Sequence, residues 1–273
     1  MRIRIVDAFT DRPFTGNPAA VVLLDSGPFP GDDRLQRLAA EVNLSETAYA
    51  RPLPEDSEAD WALRWFTPTT EVNLCGHATL ATAHVLHSTG AASGTVRFAT
   101  RSGILTATTA ADGSVTLDFP TAPLTEVEVD DDVRAALGAD VLSAHDTGPN
   151  VGDLLVELAD EKTVRALSPD LSAVARLDHR GVIVTAPAAE EGVPYDYVSR
   201  FFGPAVGIDE DPVTGSAHTA LAPLWSARLG REELTGLQAS PRTGLVRTAL
   251  RGDRTLLTGD AVTVIDGDLL IGP

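Results

Sequence analysis

The chain has 273 residues, 39 Asp and Glu against 21 Lys and Arg, and a formal net charge of -18. That length buries one large core or two medium ones and favours two lobes, while the negative charge argues against a nucleic-acid partner, whose binding runs on clustered Lys and Arg. Lys162 is the single lysine, which removes a Walker-type phosphate loop and argues against a Schiff-base cofactor, and no G-x-G-x-x-G dinucleotide fingerprint occurs.

Taken in chain order, the Ile/Val alternation at residues 2–9 and 20–24 predicts two strands joined as a hairpin by the turn-rich Asp11-Arg12-Pro13-Phe14-Thr15-Gly16-Asn17-Pro18. Asp32 reads as the N-cap of a helix whose Leu35, Leu38, Ala39 and Val42 follow helical spacing. A strand at 47–50 and an aromatic-rich strand at 61–66 lead to a helix at 76–89 closed by Gly90. Short strands follow at 94–99, 103–109 and 113–119, then a short helix between Asp130 and Gly138. Further strands are expected at 152–159, 181–186 and 195–202, with a helix near 169–177 between the first two. A second long apolar helix spans 214–229, with Pro223 expected to kink it mildly, and strands near 244–250, 254–258 and 261–265 close the chain.

One cap-and-helix pattern occurs twice, as Leu74-Cys75-Gly76-His77-Ala78-Thr79 and as Val213-Thr214-Gly215-Ser216-Ala217-His218. Each copy opens an Ala-rich stretch with a glycine where the first free backbone N–H groups emerge, so two such starts facing one cleft would clamp an anion. The rhythm is that of an α+β protein of two related halves, each a curved, mostly antiparallel sheet around a central helix. The first lobe is placed at 1–120, completed by a returning C-terminal strand at about 265–273, and the second at 121–264. The lone cysteine, Cys75, rules out an internal disulfide, and neither an apolar signal core nor a membrane-length run is present. A soluble cytoplasmic protein without a membrane partner is the expectation.

Glu46 stands between a helix end and a strand, where a half-buried carboxylate is suited to moving protons, although a solvated cap partner has the same local pattern. His77 lies in the first turn of its helix, where the dipole disfavours protonation, so it is expected to be neutral. His77 and His84 share a stripe but are separated by about 10 Å along the axis, too far for one ion, and no third ligand accompanies His84 and His87, so no metal is expected. Asp211 precedes the second helix start, where the N–H groups of Gly215 and Ser216 and the Ser216 hydroxyl are placed to receive a carboxylate. An ordinary N-cap, with Thr214 bonding its own helix, explains part of that motif.

Five ordered stretches carry a family resemblance: residues 14–21 (FTGNPAAV), 44–48 (LSETA), 64–68 (RWFTP), 74–79 (LCGHAT) and 210–217 (EDPVTGSA). With them the chain resembles the phenazine-biosynthesis PhzF isomerases, within the diaminopimelate epimerase and proline racemase fold. The resemblance implies two lobes with a substrate cleft, no cofactor and a homodimer. It also implies a double-bond-shifting proton transfer on a small cyclic or conjugated carboxylate of the trans-2,3-dihydro-3-hydroxyanthranilate type. Glu46 matches the family's acid/base glutamate, His77, Asp211 and Ser216 its supporting residues, Gly76 and Gly215 its backbone donors, and Asn17 and Ser45 substrate contacts. The epimerase relatives use two cysteines; Cys75 holds the first place, but Thr214 holds the second, and a threonine hydroxyl is too weak an acid and base for that role. An epimerase or racemase using Glu46 with another base, and a non-catalytic small-molecule binder on the same scaffold, are the alternative readings.

Overall fold

The computed structural model describes residues 1–270 and divides into two compact units, Met1–Asp118 with Thr258–Pro273, and Phe119–Leu257. The returning segment thus begins at Thr258 rather than near 265, and the crossing between lobes follows Asp118 rather than residue 120. Of the expected 265–273 segment, residues 271–273 lie outside the described residues.

The first unit contains β1 (Arg2–Ala8), β2 (Asn17–Leu23), α1 (Asp32–Val42), β3 (Glu46–Pro52), β4 (Trp61–Phe66), β5 (Glu71–Val72), α2 (Gly76–Ser88), β6 (Thr95–Thr100), β7 (Gly103–Thr109) and β8 (Val115–Pro120), the last running just past the boundary. β1 and β2 form the expected antiparallel hairpin, and β2 then runs parallel to β3 with α1 as the crossover. β3 pairs antiparallel with β4, β4 parallel with β6, and β6 antiparallel with β7. The apolar face of α1, Leu35, Leu38 and Ala39, packs against Val22, Tyr49 and Phe66. Its N-cap is Gly31, not Asp32, which sits in the first turn and accepts instead from Arg64 Nη2 at 2.9 Å. Nearly every residue of α2 from His77 to Leu86 is buried, as a helix apolar all round must be. The hairpin turn depends on Gly16, whose φ of 67° is left-handed and where a Cβ would lie 2.2 Å from Ala8 O.

The second unit contains β9 (Thr125–Val127), α3 (Asp131–Leu137), β10 (Val141–Asp146), β11 (Asp153–Leu158), α4 (Glu161–Ala166), α5 (Leu171–Val174), β12 (Gly181–Pro187), β13 (Tyr197–Gly203), β14 (Ile208–Asp211), α6 (Gly215–Leu229), β15 (Glu233–Gln238) and β16 (Gly244–Arg251). β17 (Arg254–Gly259) spans the boundary, and β18 (Ala261–Asp268) belongs to the first unit. Here α3 starts as expected, with Asp130 capping Asp132 N and Gly138 closing the helix in the left-handed conformation. The helix expected near 169–177 shrinks to α5, because the Asp170 cap starts it only at Leu171, and α4 precedes it with Asp160 as cap.

The repeat suggested by two caps extends through the whole order of strands. β10–β11 antiparallel, β11–β12 parallel, β12–β13 antiparallel, β13–β15 parallel and β15–β16 antiparallel reproduce the first unit's series from β1 to β7. α6 occupies the place of α2, and α4 with α5 that of α1. The closing strands also correspond: β18 pairs with β1, and β9 with β10. Among the described residues antiparallel pairs outnumber parallel ones, so this is the pseudo-symmetric, mostly antiparallel α+β fold. Among the described residues no helix is long and apolar enough to cross a membrane.

Candidate active site

In the first lobe, register and helix start together assemble an acid/base cluster. The parallel β2–β3 pairing sets Ala19 opposite Glu46, so the β2 residue Asn17 and the β3 residue Glu46 emerge at the same end of adjacent strands. The left-handed Asn43 that ends α1 turns the chain into β3 just before them. His77, in the first turn of α2, comes to the same place: its Nε2 lies 3.2 Å from Glu46 Oε2. On the ring's other side Nδ1 meets Asn17 Nδ2 at 3.2 Å and Cys75 Sγ at 3.6 Å. Ser45 Oγ donates to Asn17 Oδ1 at 3.4 Å. All of Glu46, Asn17, Cys75 and His77 are under one-tenth exposed.

The Glu46–His77 contact is an ion-pair approach without hydrogen-bond alignment, and neither Oε2 nor Nε2 has a hydrogen-bond partner among the described residues. A carboxylate with an unclaimed oxygen is free to change partners, as a proton carrier must. Burial works against a charged imidazole, but the charges of Cys75 and Glu46 and its contacts with both outweigh it and raise the His77 pKa well above the usual value. That direction opposes the neutral state expected from the helix dipole, while Asn17 Nδ2, which can only donate, faces an Nδ1 that accepts in this arrangement, so a proton on Nδ1 requires the Asn17 amide to turn. Burial pushes the Cys75 thiol up, and the Glu46 charge adds to it.

Glu46, Cys75 and His77 hold ligand-type atoms within 4.8 Å of one another. The ring faces both partners, with Nε2 3.2 Å from Glu46 Oε2 and Nδ1 3.6 Å from Cys75 Sγ, a grouping that the histidine spacing along α2 does not announce.

In the second lobe, Asp211, Gly215 and Ser216 gather around the start of α6. The N-cap Thr214 makes no cap hydrogen bond to its helix; its hydroxyl donates to Asp211 Oδ2 at 2.5 Å. The simple N-cap explanation does not hold, because the Thr214 hydroxyl donates to Asp211 and accepts from Gln238 Nε2 at 3.1 Å instead of accepting from its own helix. Gln238, fully buried on β15, locks this corner: its Oε1 accepts from Thr214 N at 2.8 Å and its Nε2 donates to Asp211 O at 2.8 Å. Cys75 likewise makes no cap bond to α2. Both long helices therefore open without a side-chain cap, the condition under which first-turn N–H groups serve an anion.

Sequence reasoning missed two residues here. Gln238 carries no local signal, being one polar residue in a strand weakened by Gly236. Arg180 donates from Nη2 to Ser216 Oγ at 3.0 Å and forks onto Asp153 through Nε at 2.9 Å and Nη2 at 2.6 Å. Aligning the two halves beyond their caps exposes it. Glu46 opposes Ala19 and Thr47 opposes Phe66 in the first lobe, as Gly181 opposes Asp153 and Val182 opposes Phe202 in the second. Glu46 thus corresponds to Gly181, Ser45 to Arg180, Cys75 to Thr214, and His77 to Ser216.

The PhzC-PhzF family model, described as phenazine biosynthesis-like protein, matches residues 6–267. The chain is 47% identical over 268 residues to an uncharacterised isomerase of Pseudomonas aeruginosa, covering 97% of this chain and 96% of that protein. A crystal structure of a PhzF-family protein from Enterococcus faecalis superposes with a TM-score of 0.89 at 40% identity, covering 99% of each chain. A hydroxyproline epimerase from Agrobacterium vitis, 15% identical with a TM-score of 0.60 over 98% of this chain and 91% of that one, shares the fold. The matched model spans both lobes and the residues gathered at both helix starts, and the chain belongs to the PhzC-PhzF, phenazine biosynthesis-like family and is an isomerase.

Proposed function

We propose that this isomerase moves a proton, and with it a double bond, on a small cyclic or conjugated carboxylate of the trans-2,3-dihydro-3-hydroxyanthranilate type, using Glu46 as the acid/base and no cofactor. The observation that carries the proposal is the asymmetry between the halves. The positions of Glu46, Cys75 and His77 are repeated as Gly181, Thr214 and Ser216, so the acid/base groups of the first lobe have no counterparts at the equivalent places of the second. One carboxylate with an imidazole beside it suits a route in which the same group removes a proton and returns it to another carbon; two-base inversion calls for matched groups in both halves.

In this route a Glu46 oxygen takes a proton from a ring carbon next to the conjugated system. The electron pair moves through the double bonds toward the carboxylate, and Glu46 gives the proton back further along, so nothing is gained or lost overall. His77 supports the ionised form of Glu46 before abstraction, and Asn17, held by Ser45, orients its ring. Gly76, Gly215 and Ser216 are assigned to binding the substrate's polar groups, and Asp211, with His77, to orienting a polar group or assisting the transfer. The family resemblance extends the proposal to a homodimer.

The test is Glu46→Gln, which keeps shape but removes the base, assayed on trans-2,3-dihydro-3-hydroxyanthranilate in deuterated water. The variant is expected to fold normally and lose activity by about a thousandfold or more. Near-wild-type turnover, or solvent deuterium placed at an inverted stereocentre without a double-bond shift, overturns the assignment.

A further inference from the structure

Arg180 belongs to a construction that stability alone does not explain. Asp153 is completely buried, and both its oxygens are engaged by the Arg180 fork. Burying a carboxylate so as to hold a surface-reaching arginine is costly, and apolar residues of similar size would serve the core as well. The arrangement fixes the guanidinium plane. Its Cζ lies 5.2 Å from the centre of the Phe201 ring, Nη2 reaches Ser216 Oγ at 3.0 Å, and the side chain remains 38% exposed. A serine hydroxyl has one proton. Because Ser216 Oγ accepts from Arg180, which has no proton-accepting atom, that proton points elsewhere, and no other side chain or backbone group among the described residues claims it.

We infer that Arg180 is the residue that makes the start of α6 selective for a carboxylate: clamped by Asp153, it turns the Ser216 proton toward the substrate and presents a fixed positive charge beside it. This deepens the proposed function and rests on the assignment of Ser216 to substrate binding. A guanidinium suits the role because its planar fork holds Asp153 with one edge while an N–H on the far side of Nη2 serves Ser216. Ser45 occupies the equivalent place in the first lobe and serves Asn17 instead, so this charge is particular to the second lobe.

The test measures binding to the full chain by calorimetry, with 2-aminobenzoate and its uncharged counterpart 2-aminobenzamide as probes. Wild type is expected to favour the carboxylate at least about tenfold, and Arg180→Ala to bring the ratio close to one. Asp153→Asn separates positioning from simple charge. It leaves more net positive charge at Ser216 and yet is expected to weaken the preference, whereas a purely electrostatic role predicts a stronger one. Where either variant fails to fold, Ser216→Ala, which keeps the Arg180–Asp153 pair, is expected to cut the preference severalfold. A folded Arg180→Ala or Ser216→Ala protein with wild-type preference, or a wild type with none, overturns the inference. Glu46→Gln keeps the two readings apart: it is expected to retain the preference while losing turnover, and full turnover in that variant sinks the acid/base role without touching Arg180.

Discussion

Gly181→Ala tests why the second lobe carries no counterpart of Glu46. A Cβ at this position would lie 2.5 Å from Phe201 Cζ, 2.8 Å from Cε2 and 2.8 Å from the backbone oxygen of Phe202, where ordinary contact begins at 3.4 Å. The phenyl ring is 2% exposed with Arg180 over it, and the Phe202 carbonyl belongs to the β12–β13 pairing, so neither neighbour yields readily. Overpacking of this kind costs roughly 2–3 kcal/mol, which in a chain of this size lowers the melting temperature by about 5–10 °C. Removing the ring should relieve much of the strain. Phe201→Ala alone costs about 3–5 kcal/mol through its cavity, and adding Gly181→Ala to it should cost less than about 1 kcal/mol, a coupling of roughly 2 kcal/mol. Thermal and urea unfolding of the four proteins of the cycle measure this directly. A Gly181→Ala protein melting within about 2 °C of wild type, a shift worth no more than about 1 kcal/mol, would show that the position is open and that steric closure is not why the second lobe lacks a carboxylate there.

Three further outcomes follow from the buried titratable groups. Cys75 is buried with its thiol pKa raised, so a thiol reagent at pH 7 should label the native protein orders of magnitude more slowly than the unfolded chain, and immediate native labelling contradicts the burial. His77, whose pKa is raised, contributes stability that is complete below the ordinary histidine value of about 6.5 and is lost as pH climbs through the raised value. Nitrogen NMR of the ring should show imidazolium persisting above neutrality and a lower pKa in Glu46→Gln; a ring already neutral at about pH 6.5 in wild type is the opposite result. His218 is pushed down to about 3 by burial, so between the ordinary histidine value and 3 the unfolded chain binds a proton that the native one does not. Stability should therefore fall as pH drops through that window, by about 2–3 kcal/mol at pH 4.5. Urea midpoints at pH 7 and 4.5 should differ less in His218→Gln than in wild type, and equal slopes would remove His218 as the cause.

Most strands and both long helices were legible in the chain itself because their apolar residues repeat at the period of the element: Val, Ile and Leu at β11 and β12, and Ala-rich runs behind Gly76 and Gly215. The misses have local reasons. β10 ends in Ser143, Ala144, His145 and Asp146, which carry little strand propensity, and β15 holds Gly236 at its centre. α4 is a single capped stretch of six residues, too short to show periodicity.

Glu46, Gly76 and His77 were nameable as candidates because each lies at a cap or strand start whose residue pattern is local, whereas Asn17 and Ser45 came only with the family resemblance. Local pattern also carries the repeat of the two helix starts, since a glycine behind a cap position needs no distant partner to be read. The raised pKa of His77, the diversion of the Thr214 hydroxyl to Asp211, the lock by Gln238 and the fork of Arg180 on Asp153 were not readable that way. Each depends on charges and hydrogen bonds between residues brought together by strand register, and a register couples positions as far apart as Asp153 and Gly181 without leaving a trace in the residues around either.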